Sequence, residues 1–333
     1  MEFSSRPVFR IIFESREHYR VMDTQRRIFA AELAGRVRQP GELWPAVGDY
    51  VIGRPQPGDW FLIEQVVERR TLLERRDPVG GPSQVLAANV DTLIIVTSAN
   101  QDLNLNRLDR YVLLATSGGI RPVIVVNKIE LAENPHQLLD TVAARFSTID
   151  VIGMSALEGW NLDALDAYTT NGQTIAFVGS SGVGKSSLTN ALLHGTPMTV
   201  QAIRSDDDRG RHTTTHRALH VTASGAVVID TPGIRTVGLT LDSDLESAFA
   251  DIDGLATHCR FTDCQHDAEP DCAIRNALAS GALDAARWAS FQKLERELAF
   301  ERRKASKHLQ SEEKKRWAKL HTTHRQRIKL KGR

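Results

Sequence analysis

The sequence predicts a multi-domain chain in three parts, and three observations carry that prediction. Short β-like runs broken by turn residues fill the N-terminal part. Near-continuous apolar runs alternate with helix-like stretches in the middle. A charged, helix-rich C-terminal part holds every cysteine. The boundaries are placed at 1–80, 81–240 and 241–333.

The first part contains apolar runs at 50–52 and 60–63, separated by Gly48-Asp49, Gly53 and Pro55-Gln56-Pro57-Gly58-Asp59. Short strands at this spacing suit a small sandwich or barrel. The second part has apolar strand candidates at 92–97, 122–126, 151–152, 174–178 and 226–229, with helix candidates at 107–116, 136–146 and 185–193. Strands apolar along their whole length, alternating with helices, indicate a parallel sheet covered on both faces. The third part ends in a basic stretch. Residues 301–333 hold thirteen Lys and Arg against three Glu.

The bulk composition excludes several classes. The 42 basic and 41 acidic residues nearly cancel, so net charge identifies no partner and any basic surface is local. No run of about eighteen apolar residues occurs, so no membrane-spanning helix is expected. Arg6, Arg10, Glu14, Arg16 and Glu17 interrupt the N-terminus, unlike a secretory signal. Three cysteines and no such signal suggest a reducing compartment, the cytoplasm.

The run Gly179-Ser180-Ser181-Gly182-Val183-Gly184-Lys185-Ser186 fits the phosphate-loop pattern. Its glycines let backbone N–H groups turn toward phosphates, Lys185 adds a point charge and Ser186 a hydroxyl for Mg²⁺. Ser187 continues the run. The helix beginning here adds its positive dipole end. Asp230-Thr231-Pro232-Gly233 follows the apolar run 226–229. A carboxylate at that strand end can hold Mg²⁺ through water, and Gly233 can donate its N–H to a γ-phosphate. Asn127-Lys128-Ile129-Glu130 follows the strand candidate 122–126. Its carboxylate can accept from the guanine N1–H and N2–H₂ groups, which adenine lacks as a pair. Ser155-Ala156 would offer a backbone N–H to the guanine oxygen. The expected ligand is therefore GTP, with GDP as product. These elements appear with the base-reading pair first, a circularly permuted order.

Cys259, Cys264, His266 and Cys272 lie within fourteen residues. Three thiolates and an imidazole suit one structural Zn²⁺. His258, Asp263 and Asp267 are rival ligands in the same window.

Together these motifs resemble the RsgA family, the ribosome small-subunit-dependent GTPases. Gly210-Arg211-His212-Thr213-Thr214-Thr215, the run 86–91 and the run 106–111 add to the resemblance. It implies an N-terminal β-barrel of the OB-fold type, a central α/β P-loop GTPase domain in circular permutation, and a C-terminal helical zinc-binding domain. It also implies rRNA binding and GTP hydrolysis in late small-subunit maturation, stimulated by that subunit. One position departs: Glu130 stands where the family usually has Asp, and the extra methylene sets the carboxylate farther from its backbone.

For catalysis, Lys185 and Mg²⁺ would stabilise charge on the γ-phosphate. Ser186, Thr214 and Asp230 are the expected magnesium ligands or water anchors. Ile234 occupies the position where many GTPases place a water-orienting glutamine, and an aliphatic side chain cannot orient water. His212 is the candidate for that task, with Arg209 and Arg211 as alternatives. The basic tail, with Trp317, suggests rRNA phosphate contacts. Because the chain runs from Gly233 directly toward the cysteine cluster, loss of the γ-phosphate would be expected to move that unit. Two other readings stand beside this one: a permuted GTPase acting on another ribonucleoprotein, and a nucleotide-gated RNA-binding scaffold with negligible hydrolysis. A monomer is expected.

Overall fold

The computed structural model describes residues 7–15, 18–38, 43–76, 83–100, 103–170, 172–193, 217–230, 239–241 and 243–307. His212, Thr214 and Gly233 lie outside these residues, as do Arg209, Arg211, Ile234 and the tail beyond 307.

The N-terminal part closes on itself. Its strands are β1 (Val8–Glu14), β2 (Tyr19–Met22), β3 (Ile28–Leu33), β4 (Tyr50–Gln56) and β5 (Trp60–Val66). β1 pairs antiparallel with both β2 and β4, β2 pairs with β3, β3 runs parallel to β5, and β5 pairs with β4. The ring β1–β2–β3–β5–β4 is a five-stranded closed barrel with a short 3₁₀ turn, Gly35–Arg38, between β3 and β4. That architecture matches the OB-fold. Phe9, Ile11, Val21, Ala31, Val51, Phe61 and Ile63 fill its interior. A register shift in β1 between Ile11 and Phe13 sends Ile11 into the barrel and Ile12 into the core of the central part. Both side chains are fully buried for that reason.

A hairpin of β6 (Leu72–Arg76) and β7 (Ser83–Ala88) follows. The central sheet then holds β8 (Thr92–Ser98), β9 (Arg121–Asn127), β10 (Asp150–Gly153), β11 (Thr174–Val178), β12 (Arg217–Val221) and β13 (Val227–Asp230). Its order is β10–β9–β8–β11–β13–β12, with β12 antiparallel to β13 and the other pairs parallel. Alternate residues point to opposite faces. Leu93, Ile95, Ile124, Val126, Ala176 and Val178 enter one apolar cluster, and Ile94, Val96, Val123, Val125, Ile175 and Phe177 enter a second. Two covered faces explain why these strands are apolar at every position. β12 continues the sheet into the barrel by pairing with β1.

Helices α1 (Leu105–Ser117), α2 (Pro135–Arg145) and α3 (Lys185–Leu193) connect the central strands. Asn104 and Asn134 cap α1 and α2 by accepting from the N–H groups of Arg107 and Gln137, and Pro135 opens α2 at a position that needs no donor. The C-terminal part comprises α4 (Leu245–Ala248), α5 (Ala250–Ala256), α6 (Ala273–Ser280) and a long helix, α7, over 285–307. Phe249, Ile252, Ile274, Leu294 and Leu298 share one apolar cluster with Leu108 and Val112 of α1. The C-terminal helices thus pack on the central sheet unit through a common core.

Candidate functional site

The phosphate loop spans the turn from β11 to α3, where strand and helix geometry aim backbone N–H groups at one point. Two glycines are required by space as well as by backbone angle. Gly184 has φ +101°, and a Cβ there would stand 2.1 Å from the Asn127 amide nitrogen. Gly179 has φ +146°, and a Cβ would stand 2.1 Å from the Val96 carbonyl oxygen. Val183 is buried in the second apolar cluster and anchors the loop's far end. Between these anchors Ser180 is half-buried, while Ser181 and Gly182 are exposed. The Lys185 ammonium donates to Gly179 O at 2.8 Å and Ser180 O at 2.6 Å, which holds it over the loop. Ser186 and Ser187 are exposed on the first turn of α3.

The base-reading elements converge on this loop. Asn127 ends β9 and is buried. Its Nδ2 donates to Val183 O at 2.8 Å, and its Oδ1 accepts from Ala156 N–H at 3.0 Å. One side chain thereby ties the phosphate loop to the Ser155-Ala156 segment. Lys128 takes left-handed backbone angles, and its ammonium donates to Gly182 O at 2.7 Å. Glu130 sits exposed in the 3₁₀ turn Ile129–Leu131. Ser155 is buried, pairs through its backbone with Trp160, and accepts on Oγ from Glu158 N–H at 3.1 Å. This makes a tight closed loop that fixes the Ala156 N–H.

β13 lies parallel to β11 with Ala176 opposite Ile229. Asp230, the next residue, is therefore at the same sheet edge as the phosphate loop. Ser186, on the first turn of α3, and Asp230 both carry oxygen donors, the ligand type that the hard cation Mg²⁺ takes.

The second candidate centre is the Cys259–Cys264–His266–Cys272 cluster, whose donor atoms all lie within 4.8 Å of one another. Cys259 Sγ is 3.6 Å from His266 Nδ1 and 3.9 Å from Cys272 Sγ, and His266 Nδ1 is 3.4 Å from Cys272 Sγ. Tetrahedral Zn²⁺ with ordinary Zn–S and Zn–N lengths places such atoms about 3.5–3.8 Å apart. The cluster fits the ion. Burial pushes the Cys259 thiol up, but N–H groups of Ala273 and Ile274 at the start of α6 outweigh it, and its pKa ends below the usual thiol value. Cys264 is pushed up to about 11, first by burial and also by the Cys272 and Cys259 sulfurs. A cation among them would reverse that tendency, because thiolates are its ligands. His266 packs edge-on to Trp288 of α7, with ring centroids 5.7 Å apart.

Sequence reasoning missed the hydrogen bonds by which Asn127 and Lys128 grip the loop carbonyls. It also missed a buried charged node where α1, α2 and α7 meet. Asp109 of α1 accepts from Arg145 of α2 and from Arg287 and Ser290 of α7, each at 2.6 Å. The available signal was Asp109 standing next to Leu108 and three residues before Val112, on the apolar side of α1.

The RsgA GTPase family model matches residues 66–240. Small ribosomal subunit biogenesis GTPase RsgA of Methanosarcina acetivorans is 42% identical over 297 residues, which cover 88% of this chain and 80% of that one. Small ribosomal subunit biogenesis GTPase RsgA 1 of Oceanobacillus iheyensis is 38% identical over 320 residues, covering 93% and 90%. Among solved structures, YjeQ from Thermotoga maritima superimposes with TM-score 0.68 at 26% identity, over 89% of this chain and 99% of that one. YloQ, described as a circularly permuted GTPase, gives TM-score 0.66 at 26% identity over 90% and 96%. With its Asn127-Lys128 turn preceding its phosphate loop in the chain and docking onto it in space, the protein belongs to the RsgA GTPase family.

Proposed function

We propose that this protein hydrolyses GTP to GDP and phosphate during late maturation of the small ribosomal subunit, and that the subunit stimulates the reaction. The docking of Asn127 and Lys128 onto the loop 179–186 carries the nucleotide reading, since it gives base and phosphates one shared cradle. The relatives named for small-subunit biogenesis support the choice of particle.

In this reading, backbone N–H groups of 179–187 surround the phosphates and Lys185 carries positive charge to the β–γ bridge. Glu130 reads the guanine edge, and the Ala156 N–H, from which Asn127 Oδ1 accepts in this structure, would be shared with the guanine oxygen when the base is bound, with Asn127, Lys128 and Ser155 holding that edge in place. Ser186, Thr214 and Asp230 hold Mg²⁺ directly or through water. When bound, Mg²⁺ neutralises charge developing on the β- and γ-phosphate oxygens. His212 orients the attacking water and the Gly233 N–H senses the γ-phosphate. The cysteine cluster holds one Zn²⁺ that staples the C-terminal part. The N-terminal unit, 1–80, which includes the barrel, and the basic tail contact rRNA, the GTPase unit occupies 81–240 and the zinc unit 241–333. The chain works as a cytoplasmic monomer; no described helix is long and apolar enough to cross a membrane.

The test is GTP turnover alone, with purified small subunits and with large subunits. Stimulation by small subunits only is expected. Equal rates in all three would overturn the ribosomal assignment, and stimulation by large subunits would redirect it. His212→Ala is expected to lower stimulated turnover by about a hundredfold or more, with nucleotide affinity unchanged; normal stimulated turnover would remove His212 from the mechanism.

A further inference from the structure

The strand that ends at the metal side of the site is two strands away from the barrel. Asp230 is the cross-strand neighbour of Ala218 in β12. Ala218 is also the neighbour of Phe13 in β1, and Phe13 is the neighbour of Arg20 in β2. A single row thus crosses four strands through Asp230, Ala218, Phe13 and Arg20. At about 4.8 Å per strand, the Asp230 backbone lies roughly 10 Å from that of Phe13.

The barrel and the GTPase unit meet through Ile12 and Val47, which enter the shared apolar cluster, through Arg10, which donates to Thr174 Oγ1 at 2.8 Å, and through the pairing of β1 with β12. Among the described residues, β12 pairs with β1 at Phe13↔Ala218 and Glu14↔Arg217, and with β13 from Ala218↔Asp230 through Val221↔Val227. The β12–β13 hairpin therefore bridges the barrel strand β1 on one side and, through β13, the GTPase strand β11 on the other. In the chain, β12 follows directly on 194–216, which contains Thr214, and β13 leads directly into Asp230–Gly233. Any shift of the hairpin with nucleotide state is felt first at the two pairs that join it to β1.

The C-terminal part is attached through α1 and α2. Asp109, Arg145 and Arg287 are buried together. Arg287 also pairs with Asp251 at 2.7 Å and stacks over Phe249 at 4.0 Å. Arg110 of α1 pairs with Glu297 of α7. The shared apolar cluster surrounds these pairs. Moving the C-terminal helices relative to α1 would separate buried charges, which is costly.

We propose that nucleotide state is passed to the barrel through β12, while the C-terminal unit, expected from its place in the chain after Gly233 to move, stays fixed to the GTPase core in both states. The inference rests on the nucleotide site proposed above. It assigns nucleotide-dependent partner contact to the barrel, and constant contact to the zinc unit.

Hydrogen–deuterium exchange on the full chain tests this, comparing GDP with a non-hydrolysable GTP analogue. Binding of a fluorescent GTP analogue is measured on the same preparation. Amides of 11–14, 19–22 and 217–221 are expected to differ between states by about fivefold or more, the low end of ordinary coupling. Amides of α5, α6 and α7 are expected to match. Nucleotide binding with an unchanged barrel overturns this inference alone, as does a change in α5–α7. Failure to bind either nucleotide overturns the site and this inference with it. In Phe13→Ala the difference at 19–22 is expected to shrink while nucleotide affinity is retained. An undiminished difference would overturn the route through β12.

Discussion

Gly184 shows how narrowly one position is constrained. Its backbone angle and the Asn127 amide 2.1 Å from a built Cβ both exclude a side chain. Gly184→Ala must displace Asn127, which breaks its bond to Val183 and releases Ala156. Nucleotide affinity is expected to fall at least about tenfold, since more than one hydrogen bond of ~1 kcal/mol is lost, and a fluorescent GDP titration would measure it. Glu130 is a milder case. It is exposed on a short turn, so its longer side chain has room to reach the base edge but loses more freedom in doing so. Glu130→Asp is expected to raise the preference for GTP over ATP, by about tenfold at most; a lowered preference would show that glutamate is the better fit here. Asp244 caps α4, and hydrogen bonds from the Ser247 hydroxyl and N–H hold its carboxyl below the usual carboxylate pKa. Its stabilising effect is therefore complete above the unfolded carboxylate pKa near 4 and disappears as pH falls through the lower folded value. Between pH 4 and pH 2 the wild type should lose more melting temperature than Asp244→Asn, which cannot titrate.

Among the elements, α1 bears the most. One stripe packs Leu108, Tyr111 and Val112 into the core, and Asp109 beside them binds two arginines from different helices. Removing the carboxylate would leave both guanidinium groups buried without their partner. Asp109→Ala is expected to cost about 3–5 kcal/mol, and Asp109→Asn less, as measured by urea unfolding. Loss of less than 1 kcal/mol would mean that water reaches the node. The central strands were legible in sequence because full burial makes them apolar throughout. Predicted 174–178 and 185–193 coincide with β11 and α3. β12 was not legible: Arg217-Ala218-Leu219-His220-Val221 carries a cation and an imidazole, and its strand state depends on neighbours β13 and β1. The β6 run Leu72-Leu73-Glu74-Arg75-Arg76 was hidden likewise, being charged over most of its length and ordered by β7 and α1.

At the scale of the whole molecule, the cysteine cluster and the shared core hold the C-terminal part together. His266 joins the cysteine cluster to Trp288, and Trp288 stacks on Phe291 in α7. Chelation should therefore loosen α6 and α7 as well as the short segment around the cysteines. Metal analysis is expected to give one zinc per chain, and treatment with a strong chelator to lower the melting temperature; an unchanged melting temperature would mean that the thiols pack without an ion. Truncation after residue 300 removes thirteen basic residues. It is expected to flatten the salt dependence of small-subunit binding, because each phosphate contact releases counterions.

The sequence alone determined the GTPase character of the central part, through its phosphate-loop pattern, and which four side chains come together as a possible metal site. Those features are local, set by residue type and spacing over a few positions. Tertiary structure decided how they are joined. Barrel closure needs β1 to meet β4, the nucleotide cradle needs Asn127 to meet Val183, and the fixed C-terminal unit needs Asp109 to meet Arg287. Each of these contacts links residues far apart in the chain, and which of them form is decided by how the whole sheet and its helices pack, information that no short window of sequence contains.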